Sequence, residues 1–168
     1  MNDDLPIHEG GCTCGQLRYQ VSGDPMVVHC CHCGGCQQNS GSAFALNALY
    51  ETDRVHVTSG KVETFDVPTP SGKGQTIARC ASCRVAVWSN YNMGGLREAI
   101  RFIRVGTLDA PNRCPPDVHI YTVSKQDWVI IPPKEKQVEK FYRWTEVWTE
   151  TSMARLHVLE KKTGIKIT

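Results

Sequence analysis

Seven of the nine cysteines of this 168-residue chain fall into three short clusters, Cys12-Thr13-Cys14, Cys31-His32-Cys33-Gly34-Gly35-Cys36 and Cys80-Ala81-Ser82-Cys83. Two contain Cys-x-x-Cys and two contain Cys-x-Cys, the spacings of metal ligands. Cys-x-x-Cys lets a tight turn aim two thiolates at one ion, as tetrahedral zinc requires. Cys-x-Cys does the same on extended backbone, where residues two apart share a face. Cys31 and Cys33 then point one way and His32 the other. The chain is expected to bind two zinc ions.

Spacing alone does not decide which cysteines share an ion. One division pairs the two Cys-x-x-Cys knuckles. Another joins Cys12 and Cys14 to Cys80 and Cys83 and leaves Cys31, Cys33 and Cys36 together. The contiguity of the last three favours the second division. A closed four-thiolate site can only stabilise, whereas a three-thiolate site keeps one position for water, a thiol or substrate.

The elements around the clusters read as mainly β. Leu17, Tyr19 and Val21 alternate with polar residues and stop at Gly23-Asp24-Pro25. Further strands are expected at Met26–His29, Ser42–Tyr50, Lys61–Val67, Gln75–Arg79, Val85–Trp88, Ile100–Val105, Val118–Val123 and Trp128–Ile131, with a loop over Pro68–Gly74. The tail loses glycine after Pro132-Pro133. Thr149 to Ser152 can cap a short amphipathic helix, Glu150 to Lys162, carrying Met153, Leu156 and Leu159 and stopped by Gly164.

Length sets one domain over residues 1–168, with a core at about 8–131 and an extension at about 132–168. The formal charge of +2 with 21% charged residues shows no basic stripe, so nucleic acid is not an expected partner. The acidic start, Met1 to Pro6, carries no apolar stretch of a secretory signal. No apolar run is long enough to span a bilayer. The expected address is therefore cytoplasmic, where clustered cysteines bind metal rather than pair as disulfides.

The motifs resemble the glutathione-dependent formaldehyde-activating enzyme family, which includes centromere protein V. The resemblance rests on Gly11-Cys12-x-Cys14-Gly15-x-Leu17-x-Tyr19, Cys31-His32-Cys33-x-x-Cys36, Gly41-Ser42-Ala43-Phe44 and Cys80-x-x-Cys83. It continues through Val105 to Asp109, His119-Ile120-Tyr121, Lys125 and Trp128. It implies a β-tent fold, small twisted antiparallel sheets tied by zinc knuckles. It implies a structural zinc on Cys12, Cys14, Cys80 and Cys83. A catalytic-type zinc would sit on Cys31, Cys33 and Cys36, the residues expected to carry catalysis. The implied activity is that of a carbon–sulfur lyase handling adducts of a small-molecule thiol and an aldehyde, such as S-hydroxymethylglutathione. The alternative is a non-catalytic, zinc-stabilised binding or redox-sensing module. A homodimer is compatible with this reading.

Two positions depart from the family pattern. Arg84 stands where glycine often follows the last knuckle, which predicts a different backbone there. Gln37-Gln38 replaces residues that are often basic, which predicts a weaker grip on glutathione's carboxylates. Of the remaining candidates, Cys30 reads as a small buried hydrophobe and Cys114 as an incidental thiol. His32 reads as a supporting or exposed residue, and His119 as a hydrogen-bonded core residue. Trp88, Trp128 and Phe44 read as core. Trp144 and Trp148 read as packing residues. Ser71-Gly72-Lys73-Gly74 lacks the spacing of a phosphate loop.

Overall fold

The computed structural model describes residues 5–166; Met1–Asp4 of the acidic start lie outside the described residues. Ten strands are present among them, in two sheets. The first sheet is antiparallel: β1 (Ile7–Gly11), β2 (Arg18–Ser22) and β5 (Val55–Ser59), in that order. The second comprises β3 (Val27–Cys31), β4 (Ala45–Glu51), β6 (Val62–Val67), β7 (Gln75–Cys80), β8 (Ala86–Tyr91), β9 (Ile100–Arg104) and β10 (Val118–Ile120). Its order is β10-β3-β4-β9-β8-β7-β6. All its pairings are antiparallel except β10 on β3, which is parallel. The mainly β fold with two sheets is the one expected from the sequence, and the cysteine clusters sit at strand ends and turns.

The seven-stranded sheet is the middle layer, because its strands are apolar on both faces. Val28, Ala48, Tyr50 and Ile103 face the first sheet and pack with Leu17, Tyr19, Val21 and Val55. Tyr19 and Trp88 meet edge-to-face at 5.6 Å. Their neighbours Val27, Leu49 and Phe102 face the other way, onto Tyr142, Trp148, Leu156 and Leu159 of the C-terminal extension. A strand buried on both faces loses the polar alternation of a half-exposed one, which is why β3 and β4 are almost wholly buried.

Three α-helices are present among the described residues, besides short 3-10 turns: α1 (Gly34–Ser40), α2 (Trp144–Val147) and α3 (Glu150–Thr163). The sequence expectation placed α3 within one residue of its observed end. Thr149 Oγ1 accepts the Ser152 amide at 3.1 Å, and Gly164 closes the helix with φ 72°. Arg155 of α3 forks onto the buried Glu51 carboxylate of β4 and also donates to the Asp24 carbonyl.

Several expectations are corrected. Trp128–Ile131 is not a strand, and Trp128 is not core: Trp128 is 71% and Ile130 88% exposed. The free edge of β10 is taken instead by residues 136–138, through His119 N to Lys136 O at 2.8 Å and Val138 N to His119 O at 3.0 Å. The strand expected over Val118–Val123 ends at Ile120, where Tyr121 turns to φ 57° and Thr122–Ser124 forms a 3-10 turn. Strands β1 and β5 and helix α1 were not anticipated. The first reads Ile-His-Glu-Gly-Gly and carries little apolar alternation.

Candidate metal centres and the cavity beside them

The first centre joins the two sheets. Cys12 and Cys14 lie in the turn between β1 and β2, Cys80 ends β7, and Cys83 lies in the turn before β8. Their four sulfurs lie within 4.8 Å of one another. Cys12 Sγ is 3.3 Å from Cys14 Sγ, and Cys14 Sγ is 3.9 Å from Cys80 Sγ. The Leu17 amide donates to Cys12 Sγ at 3.3 Å. Burial pushes the Cys12 thiol up, but that amide and the neighbouring thiols outweigh it and bring its pKa down to about 6. Four convergent sulfurs, one already favoured as thiolate, are the donor set of a closed zinc site.

Arg84 keeps the left-handed backbone that glycine would take, with φ 65°. The expectation of a different backbone is therefore corrected: the turn is retained and the side chain bears the strain. Its guanidinium pairs with Glu63.

The second centre is local. Cys31 ends β3, Cys33 is the N-cap of α1, and Cys36 lies in its first turn. The Cys36 amide donates to Cys33 Sγ at 3.3 Å. Helix α1 therefore forms because the Cys-x-x-Cys turn caps itself, and Gly41 ends it in the left-handed conformation with φ 64°. The three sulfurs lie within 4.8 Å of one another. Hydrogen bonds from Cys31 and Cys36 hold the Cys33 thiol well below the ordinary range, while the same sharing pushes Cys31 up. Arg104 of β9 places a half-buried cation close enough to act on Cys36 and Cys31, with its Nη1 donating to Asn47 Oδ1 at 2.5 Å.

A cavity of about 540 Å³ opens beside these three cysteines. Its walls are mainly apolar: Tyr91, Met93, Phe102, Ile120, Tyr121 and Phe141. Arg104 and Lys73 are the lining cations, the latter from the Pro68–Gly74 loop. His29 also reaches it. Its ring is buried and held neutral by burial, its pKa lowered to about 3, and its Nε2 bonds the Tyr142 hydroxyl. Trp148 Nε1 donates to that hydroxyl at 2.8 Å. The extension thus supplies both the cavity wall, through Phe141, and the bond that seats His29.

Gln37 and Gln38 do not line this cavity. Gln37 Nε2 donates to the His32 and Ser124 carbonyls at 2.8 Å each. Both glutamines border a separate shallow cleft with Trp128. Sequence reasoning missed Arg104, Lys73, Tyr121 and Phe141. Tyr121 belongs to the His119-Ile120-Tyr121 motif but had been given no role, and Arg104, Lys73 and Phe141 carry no motif; each reaches the site through the sheet order or a loop.

The other candidates are placed as follows. Cys30 is buried, as expected. His32 is wholly buried rather than exposed, packed edge-on against Phe44 with ring centroids 5.4 Å apart. His119 Nδ1 lies 3.0 Å from His32 Nε2. Cys114 is buried beside Tyr50. Trp148 is buried and stacks edge-on with Trp144 at 4.7 Å. No helix among the described residues is long and apolar enough to cross a membrane.

No curated protein matches the chain at a significant level. Among solved structures, a Rhodobacter sphaeroides protein determined as a structural-genomics target superposes with a TM-score of 0.43 and 14% identity, covering 60% of this chain and 87% of that one. The profile of the glutathione-dependent formaldehyde-activating enzyme family matches residues 7–124. That span is well over half the chain and contains all three cysteine clusters, so the chain belongs to the glutathione-dependent formaldehyde-activating enzyme family.

Proposed function

We propose that this protein is a zinc-dependent carbon–sulfur lyase acting on adducts of a thiol and an aldehyde, with its chemistry at Cys31, Cys33 and Cys36. The observation that carries the reading is the cavity of about 540 Å³ opening onto these three sulfurs. A purely structural knuckle needs no such space. Three thiolates and an open side fit zinc of the catalytic type, which supplies Lewis acidity and lowers the pKa of a thiol that reaches it.

The remaining work falls to the chain. Cys31, Cys33 and Cys36 fix the position of the reacting sulfur. In the forward direction the thiol gives its proton to water, the thiolate sulfur attacks the carbonyl carbon, one C–S bond forms, and the carbonyl π pair moves to oxygen, which takes that proton back from water. The reverse breaks the C–S bond and returns the proton. Arg104 offsets the accumulated negative charge of the thiolates. Tyr121 and Phe141 narrow the approach and exclude bulk water. Burial raises the Tyr121 phenol pKa and keeps the hydroxyl protonated, so it is not available to take the thiol proton, and water carries it.

The apolar walls and the diversion of Gln37 into backbone contacts support weak selectivity for glutathione over a neutral thiol. Exchange NMR with formaldehyde and either glutathione or 2-mercaptoethanol tests this, comparing wild type with Cys33→Ala. Faster exchange in the zinc-loaded wild type with both thiols is expected. Equal rates in the two proteins would refute the enzymatic reading and leave a zinc-stabilised binding module.

A further inference from the structure

The strand that carries Cys31 presents a second set of donors on its opposite face. Alternation along β3 and through the two residues that follow it sends Cys31 and Cys33 toward the cavity, which Cys30 and His32 do not line. Strand β10 lies parallel to β3 with His119 in register with Cys30. Neighbours in register share a face, so His119 joins Cys30 and His32 behind the sheet. Its own neighbour Ile120 joins the cavity wall.

The three donor atoms converge. His32 Nε2 lies 3.0 Å from His119 Nδ1 and 3.6 Å from Cys30 Sγ, and all three atoms lie within 4.8 Å of one another. Around a tetrahedral zinc with ordinary bond lengths, the N···N edge is about 3.3 Å and the N···S edge about 3.6 Å. Both observed separations sit within a few tenths of an ångström of those edges.

A hydrogen bond between the two imidazoles accounts for less of the arrangement. One N–H on His32 Nε2 cannot serve both His119 Nδ1 and Cys30 Sγ. The other ring nitrogen, Nδ1, is buried with no hydrogen-bond partner among the described residues. The polar contacts of this fully buried ring are thus to a thiol and an imidazole, both borderline-soft metal ligands.

We propose that Cys30, His32 and His119 form a third metal site, suited to a zinc-type ion and distinct from the two cysteine clusters. His119 is the half-exposed member of the three, and Cys30 and His32 are buried. One thiolate and two neutral imidazoles leave a zinc site with a net charge of +1. Glu135, whose carboxylate acts on His119, offsets it. The ion would tie the three-residue strand β10 to β3, and so fix Ile120, and Tyr121 in the turn that follows it, at the cavity.

The test is cadmium NMR of the full chain reconstituted with cadmium alone, with zinc stoichiometry measured in parallel. Wild type should give a resonance in the range of one sulfur and two nitrogen donors, separate from the sulfur-rich resonances. His119→Ala should abolish that signal, keep the sulfur-rich ones and lower bound zinc by one ion per chain. Cys30→Ala repeats the test with a different donor if His119→Ala does not fold. No mixed-donor signal in the wild type, or one that persists in the folded variant, overturns the proposal. The sulfur-rich signals report the other two centres independently, so loss of the catalytic reading leaves this result legible.

Discussion

Removing one thiolate from each cysteine centre should have sharply unequal consequences for stability. Cys12 and Cys14 belong to the turn of the three-stranded sheet, and Cys80 and Cys83 to the β7–β8 turn of the seven-stranded one. An ion there staples segments 66 residues apart between Cys14 and Cys80. Zinc in small structural modules contributes about 10–16 kcal/mol of apparent folding free energy, comparable with the whole stability of a domain, about 5–15 kcal/mol. Cys80→Ala replaces a buried ligand, so most of that contribution is lost. At about 2–4 °C of melting temperature per kcal/mol for a chain of this size, the variant should melt at least about 20 °C lower or fail to fold. Cys33→Ala acts locally. It removes a half-buried sulfur and the N-cap bond to the Cys36 amide, a cap worth about 0.5–2 kcal/mol. Its melting temperature should fall by only about 1–8 °C. The assay is thermal unfolding by circular dichroism on zinc-loaded protein, with metal content measured before each melt. Cys80→Ala should lose the more tightly held ion and Cys33→Ala the more readily chelated one. A larger loss in Cys33→Ala, or equal losses, would refute the division of labour.

Two further predictions rest on single side chains. Arg84→Gly and Arg84→Ala both lose the exposed pair with Glu63, but only glycine relieves the left-handed backbone. The glycine variant should therefore be the more stable by about 1 kcal/mol in denaturant titrations, and a more stable alanine variant would count against strain at this turn. Tyr142→Phe leaves His29 Nε2 and Trp148 Nε1 unpaired in a buried space. At about 1–3 kcal/mol for each of the two stranded groups, melting should fall by about 4–24 °C, and a fall under about 2 °C would show that the hydroxyl is not the anchor of the extension.

Much of the molecule was legible along the chain because its causes are local. The Cys-x-Cys and Cys-x-x-Cys spacings are short-range geometry, and the seven clustered sulfurs lie in two groups, one of four and one of three. Thr149, the Leu156 and Leu159 face and Gly164 together specify α3, since capping and periodicity act within a few residues. Alternation located β2, and the short runs flanking the third cluster and at Ile100–Val105 located β7, β8 and β9 within a few residues.

What the chain order could not show is which strands become neighbours. Trp128 to Ile131 has the composition of a strand, yet a strand needs an open edge, and residues 136–138 occupy the edge of β10. Arg104, Phe141 and Lys73 lie far apart in sequence and carry no motif, and only the sheet order and the return of the extension bring them to one cavity. His119 stands 87 residues from His32. The parallel pairing of β10 on β3 sets them side by side, and a one-residue slip in that register would send His119 to the opposite face. The sequence by itself determined the ligand spacings and the local elements. The tertiary structure decided which faces meet, because pairing across a sheet depends on edges and burial that no local window contains.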